Sequence, residues 1–325
     1  MNLLFLWLLF PSSVPIDVQV KKVPNGLSAN DGHANQNELN ELADQLRLKI
    51  LDSEALFTVT GGMKPISEGF WRTSFPGEKE STSEIDRVRT VLSTVFPSRS
   101  ELVAGVHIFA RQHGGKKSAT AFVIHRGSLR RKIERDPSFF NSLGITEATP
   151  AIQLMSLVDE APKSARWRAF GLLFGYPEYA VDFFVAAGES QRKTGIFVER
   201  NFISIPTFSA DRGQFVYAVP KGHNENEVDR SLKAQAALIL AEYRLQREFY
   251  IGPGKQGSYA LFQNWLNANA TEGNPNNAPP SPSFAHSAPP DFRLQNRRLR
   301  RPISNWLAGH HLRCFQQRNL FRAFR

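Results

Sequence analysis

Residues 55–71 read ALFTVTGGMKPISEGFW. A glycine pair, Gly61-Gly62, stands just ahead of Lys64, and Glu68 follows one helical turn later. A glycine-rich loop before a lysine is the chemistry of phosphate capture. That chemistry also needs the spacing G-x-x-x-x-G-K-[ST] and a helix that supplies free N–H groups and a positive dipole end. Here Lys64 is followed by Pro65, and the next residues include Gly69, Pro76 and Gly77 without helical period. The receiving helix is missing, so the pattern argues against a nucleotide site. No G-x-G-x-x-G is present either. The pair reads as a turn at the end of a strand. The remaining chemical reading is a small anion site, with Lys64 and the N–H groups of Gly61 and Gly62 meeting a carboxylate or other anion.

The other chemistry-bearing residues are scattered. Lys64, Glu68, His223 and Glu199 are the candidate catalytic set, a hydrolase-like site that forms only if the fold brings the two hairpin regions together. No G-x-S-x-G elbow appears, although triads are set in space rather than in sequence. Ser258, in GKQGSYA, opens a helix instead. His107 and His125 lie on two arms of one hairpin. If Gly114-Gly115 is its turn, His113 pairs with Lys116 and His107 faces Phe122. The two histidines then point to opposite sides of the sheet, since side chains alternate along a strand. No H-E-x-x-H, paired-cysteine or EF-hand pattern exists, and no metal or cofactor is implied. Cys314 is the only cysteine, which rules out disulfides within the chain.

The chain has 325 residues, 41% of them apolar, with 25 phenylalanines, enough for a sizeable core. Its net charge is +10. Residues 268–325 carry nine arginines against Glu272 and Asp291, so the basicity belongs mainly to a tail and the body is close to neutral. In that tail, Arg297, Arg298, Arg300 and Arg301 are the candidate contacts to nucleic acid or an anionic surface. Residues 3–10 form an apolar run ended by Pro11. That run is far short of the roughly 20 residues that span a bilayer. It has the length of a signal-peptide core, though no Lys or Arg precedes it. No later segment is long enough to cross a membrane.

The elements that must position these residues follow from period and punctuation. Residues 1–14 read as a signal peptide or apolar arm, 15–36 as a linker, 37–266 as one globular domain, 267–292 as a disordered Asn/Pro/Ser-rich linker and 293–325 as the basic tail. A helix starts near Asn37, with Leu39, Leu42, Ala43, Leu46 and Ile50 on one stripe. Residues 56–60 read as a strand. Ser81-Thr82-Ser83-Glu84 reads as a capping box. Residues 103–125 form a hairpin around Gly114-Gly115. Helices follow to about residue 188, with Thr149 and Pro150 as a start and Gly175 and Gly188 as stops. Within them, RAFGLLFGYPEYAVDFFVAAGE reads as a packed helical hairpin, because Glu178, Tyr179 and Asp182 would repel phosphates at the start of a recognition helix. A second hairpin leads from FVERNFISIPTFS through ADRG to QFVYAVP. Residues 225–250 form the longest helix, and a short one surrounds residues 259–266. Strands arriving as hairpins between helices imply an α+β fold with an antiparallel sheet.

At ALFTVTGGMKPIS, LLFGYPEYAVDFFVAAGE and FISIPTFSADRGQFVYAVPKGH, the chain resembles uncharacterised exported bacterial proteins of the kind abundant in planctomycetes. The resemblance covers residues 37–265 and implies export and one coherent domain, with no activity attached. The leading expectation is a non-catalytic, exported domain that binds a ligand or partner. The alternatives are the hydrolase-like enzyme and a tail that binds nucleic acid or an anionic surface.

Overall fold

Ala119 to Ile124 are all buried, so their strand must be covered on both faces. In the computed structural model, which describes residues 30–272 apart from 62, 97–100 and 212–213, this strand is the centre of the molecule's main sheet. The elements run α1 (Asn30–Asp52), α2 (Leu56–Val59), β1 (Ile66–Pro76), α3 (Ser83–Val95), β2 (Leu102–Ile108) and β3 (Lys116–His125). Then come α4 (Arg126–Arg135), α5 (Pro137–Ser142), α6 (Ala151–Glu160), α7 (Lys163–Leu173) and α8 (Glu178–Thr194). The chain continues through β4 (Arg200–Ile205), β5 (Phe215–Pro220), α9 (Glu227–Tyr250) and α10 (Gly257–Glu272). The fold is α+β. Antiparallel β1-β3-β2 form one sheet, and antiparallel β4-β5 form a second. The described residues lie in a single compact unit.

Alternation along β3 divides the core. Ala119, Ala121 and Val123 pack with α1, α3, α9 and α10, around Leu46, Leu92, Tyr243 and Phe262. Phe122 and Ile124 face the other way, into α4 to α8, around Phe140, Leu154 and Phe170. A third cluster joins Phe57 of α2 to Ile205, Phe215 and Tyr217 of the small sheet. Among the described residues no helix is long and apolar enough to cross a membrane.

Several local expectations shift. Residues 56–60 are not a strand: Leu56–Val59 form a helical turn, all four residues buried, and Thr60 Oγ1 bonds back to the Leu56 carbonyl. Burial from every side overrides the strand preference of its β-branched and aromatic residues. Helix α1 begins at Asn30 rather than near Asn37. Thr82, not Ser81, caps α3 by accepting from the Ile85 N–H, while Ser81 bonds Asp86. The cap of α6 is Pro150, one residue past the position expected. Gly188 does not stop its helix, which runs on to Gly195 in the left-handed region at φ 74°. Gly188 serves packing instead, since a Cβ there would meet the Trp167 ring at 2.5 Å. That contact and Gly171 against Val181 make α7 and α8 a tightly packed pair. Helix α10 reaches Glu272, into the stretch read as a linker.

The first hairpin turns at Gly114-Gly115, both with positive φ, and His113 bridges Lys116. The register then slips. His107 faces Thr120, not Phe122, because residues 109–112 add two extra positions to the β2 arm. A shift of two keeps every side chain on its own face, so His107 and His125 still point apart. Strand β1 carries a matching irregularity between Glu68 and Arg72, with Gly69 at φ 88°. The apolar arm, the basic tail with Arg297, Arg298, Arg300 and Arg301, and Cys314 lie outside the described residues.

Candidate functional site

The glycine turn leads into the interior. Gly61, at φ 78°, ends α2 and reverses the chain. Two residues past the turn, Met63 and Lys64 run against Gly175, where a Cβ would meet the Met63 carbonyl at 2.6 Å. Lys64 has no exposed surface. Its Nζ donates to Glu54 Oε2 at 2.9 Å and lies over the rings of Phe215 (4.1 Å), Tyr176 (5.5 Å) and Phe174 (5.7 Å). Burial lowers the Lys64 pKa, and Glu54 opposes that shift. The carboxylate expected to meet Lys64 is therefore the chain's own. No helix springs from Lys64; the chain passes directly into β1.

Glu68 stands on β1 just before its bulge. Its Oε2 is buried without a hydrogen-bond partner, and burial raises its pKa against the opposing charges of Arg72 and His107. Beyond it lies a second polar cluster. His107 Nε2 sits 3.7 Å from Asp159 Oδ2, too long for a hydrogen bond. The two-residue bulge of the β2 arm turns the Ala110 N–H onto the same Asp159 oxygen at 2.9 Å. Burial pushes the Asp159 pKa up, but His107, that N–H and Arg166 outweigh it and hold the carboxyl below its ordinary value. Arg166 is fully buried and donates Nη1 to the Asp159 carbonyl at 3.0 Å. Its Nε and Nη2 have no partner, and neither do Asp159 Oδ1 and His107 Nε2. Burial and the charge of Arg111 depress the Arg166 pKa.

His223 belongs to a third group. Its Nε2 lies 2.8 Å from Asp229 Oδ2, and its ring stacks on Tyr179. Asp229 also accepts from the hydroxyls of Tyr179 and Tyr217 and from the Asn226 N–H, closing a capping box at the start of α9. Burial would raise the Asp229 pKa, but these donors, His223 first, bring it down to about 2. Glu199 is at the surface and pairs with Lys221. Of the four candidate catalytic residues, then, Lys64 and Glu68 share a neighbourhood through mutual Coulombic influence. His223 is committed to Asp229 and Glu199 to Lys221.

His125 is a helix cap, its Nδ1 accepting from the Ser128 N–H ahead of α4. Among the described residues no group of three or more His, Cys, Asp or Glu converges as a metal site.

Comparison with protein-family models, with curated proteins and with solved structures returns no match.

Sequence reasoning passes over Arg166, Asp229 and the Asp159–His107 pair. For Asp229 a signal exists: Asn226-x-x-Asp229 has capping-box spacing, which marks Asp229 as a helix-start acceptor. For Arg166 the run KSARWRAFGLL gives no sign of which arginine is interior. Arg166 is buried and Arg168 reaches Asp136, Glu178 and Asp182 at the surface.

Proposed function

We propose that the chain is an exported, non-catalytic module that recognises a ligand or partner. The observation that carries this reading is Lys64. The cation beside the glycine pair has no exposed surface and spends its charge on Glu54 and three aromatic rings. His223 and Glu199 are spent in the same way, on Asp229 and Lys221. A nucleophile or general base needs a free face toward substrate, and Lys64 does not offer one. Export rests on the apolar run at residues 3–10 and on the resemblance noted above. Fractionation and N-terminal sequencing of the chain, expressed from its natural upstream region, test it: an uncleaved, retained protein sinks export.

One observation favours the hydrolase-like alternative. Glu68 has a raised pKa and an unpartnered Oε2, the state of a carboxyl poised to hold a proton. The deciding assay offers the purified chain chromogenic carboxylic esters, phosphate esters and glycosides. The binding reading expects no turnover beyond that of Glu68→Gln. Saturable turnover that vanishes in Glu68→Gln, with the circular dichroism unchanged, overturns it. Binding of nucleic acid or an anionic surface through Arg297, Arg298, Arg300 and Arg301 has its own test. Salt-dependent binding that survives deletion of residues 268–325 removes the tail as its carrier.

A further inference from the structure

We propose that the turn between α8 and β4 docks on an anionic lipid bilayer, with Ile196, Phe197 and Phe202 entering the apolar boundary and Arg192, Lys193 and Arg200 meeting the phosphates. This rests on the recognition reading above and names the partner.

The local chain builds a fixed apolar tip. Gly195, in the left-handed region, ends α8. Thr194 Oγ1 then accepts from the Ile196 N–H at 3.1 Å, while its hydroxyl donates to the Ser190 carbonyl at 2.9 Å. The turn is thereby held where it leaves the helix. It presents two consecutive apolar side chains, Ile196 at 70% exposure and Phe197 at 45%. Phe202, on β4, is also 45% exposed. It lies on the same side of its strand as Arg200, since side chains alternate, whereas Ile203 and Ile205 face the core. Arg200 ties this side to the turn. Its guanidinium lies 4.7 Å from the Phe197 ring centroid and 5.7 Å from that of Phe184 on α8.

The basic residues stand where a membrane surface would use them. Arg192 and Lys193 lie in the last turn of α8 and are exposed. Over residues 186–202 they and Arg200 stand against Glu189 and Glu199, and Glu199 is already paired with Lys221. The tip is therefore apolar with a cationic rim. Apolar side chains can enter the acyl boundary while Arg and Lys heads stay at phosphate depth. Anionic headgroups complement that rim. Single-stranded nucleic acid fits less well, because it binds by stacking bases on ring faces. Phe184 and Phe197 each give a face to Arg200, and Ile196, the most exposed of the three apolar residues, has no ring.

Sedimentation of the full chain with vesicles tests the surface, using phosphatidylcholine alone and phosphatidylcholine mixed with phosphatidylglycerol. Binding to the anionic vesicles, absent with phosphatidylcholine alone and falling as salt rises, is expected. Ile196→Ser/Phe197→Ser should weaken it at least about tenfold. Arg192→Gln/Lys193→Gln should weaken it about twentyfold, the scale of two charges at a membrane surface. Ile196→Ser alone should still weaken it several-fold, and it replaces the double variant if circular dichroism shows that one misfolded. Leu238→Ser, at an equally exposed apolar position on α9, should leave binding intact. Changing Arg297, Arg298, Arg300 and Arg301 together to Gln should also leave it intact, which separates the turn from the tail. No preference for anionic vesicles, or binding unchanged in Ile196→Ser/Phe197→Ser, overturns the proposal. So does binding of oligodeoxythymidine that the same double variant abolishes, in the absence of vesicle binding; the partner is then nucleic acid. Each of these leaves recognition of a non-lipid partner standing, whereas turnover in the chromogenic assay would overturn the recognition reading and not this measurement.

Discussion

Lys64 and Arg166 are both fully buried cations, and the fold treats them in opposite ways. Lys64 meets Glu54 at 2.9 Å and three ring faces. Arg166 holds one carbonyl and leaves two N–H groups unanswered. The first is a closed arrangement, in which charge is neutralised where it is desolvated, as a buried ion pair must be to survive. The second is incomplete, with Arg166 Nε and Nη2 buried and without a hydrogen-bond partner. Residue type and burial are the same in kind, so the completeness of the partner set is what separates the two.

The largest effect should come from opening the closed pair. Lys64→Met leaves the Glu54 carboxylate without its partner and should cost about 3–5 kcal/mol in urea unfolding. Adding Glu54→Leu should recover most of that loss. If the double variant is no better than the single one, Lys64 and Glu54 do not stabilise the fold as a pair.

Asp229 is a closed site of the opposite sign. Its folded pKa of about 2 lies below the ordinary 3.8, so the stabilisation is present above pH 4 and is lost as pH falls toward 2. Unfolding between pH 2 and 5 should therefore show a loss of about 2 kcal/mol that Asp229→Asn removes. An unchanged acid limb in that variant would assign the loss elsewhere.

Glu68 resembles Arg166 in being under-partnered. Its raised pKa means that the folded state holds the proton more tightly, so stability falls as pH rises through and above the ordinary glutamate range. Glu68→Gln should thus stabilise the protein at pH 8 by about 1–3 kcal/mol and have little effect at pH 4. Destabilisation at pH 8 would show that Glu68 is paired after all.

The smallest effect sharpens the comparison most. Arg166→Met forfeits one hydrogen bond and should cost about 1 kcal/mol or less. A cost equal to that of Lys64→Met would erase the distinction between the two cations.

Much of the scaffold is legible in the sequence. The hairpin at Gly114-Gly115 and the α+β class follow from local spacing and turn chemistry. The site is less legible. Gly188 looks like a helix stop until Trp167 is seen against it. Residues 56–60 look like a strand until burial on every side is known. Gly61 does turn the chain before Lys64, but after a helical turn and not a strand, and the carboxylate that answers the lysine, Glu54, lies ten residues back and on no shared period.

By itself the sequence determined period, punctuation and charge distribution: which stretches coil, where the chain must turn, and that the basicity collects after residue 268. These depend on neighbours within a few residues, through backbone sterics and side-chain alternation. Tertiary structure alone decided which charges would be answered. Whether Lys64 finds Glu54, Asp229 gathers two tyrosines and a histidine, or Arg166 goes half unpartnered depends on how elements distant in the chain pack together. Such contacts join residues far apart in the chain, and desolvation sets their energies only once the whole core has closed.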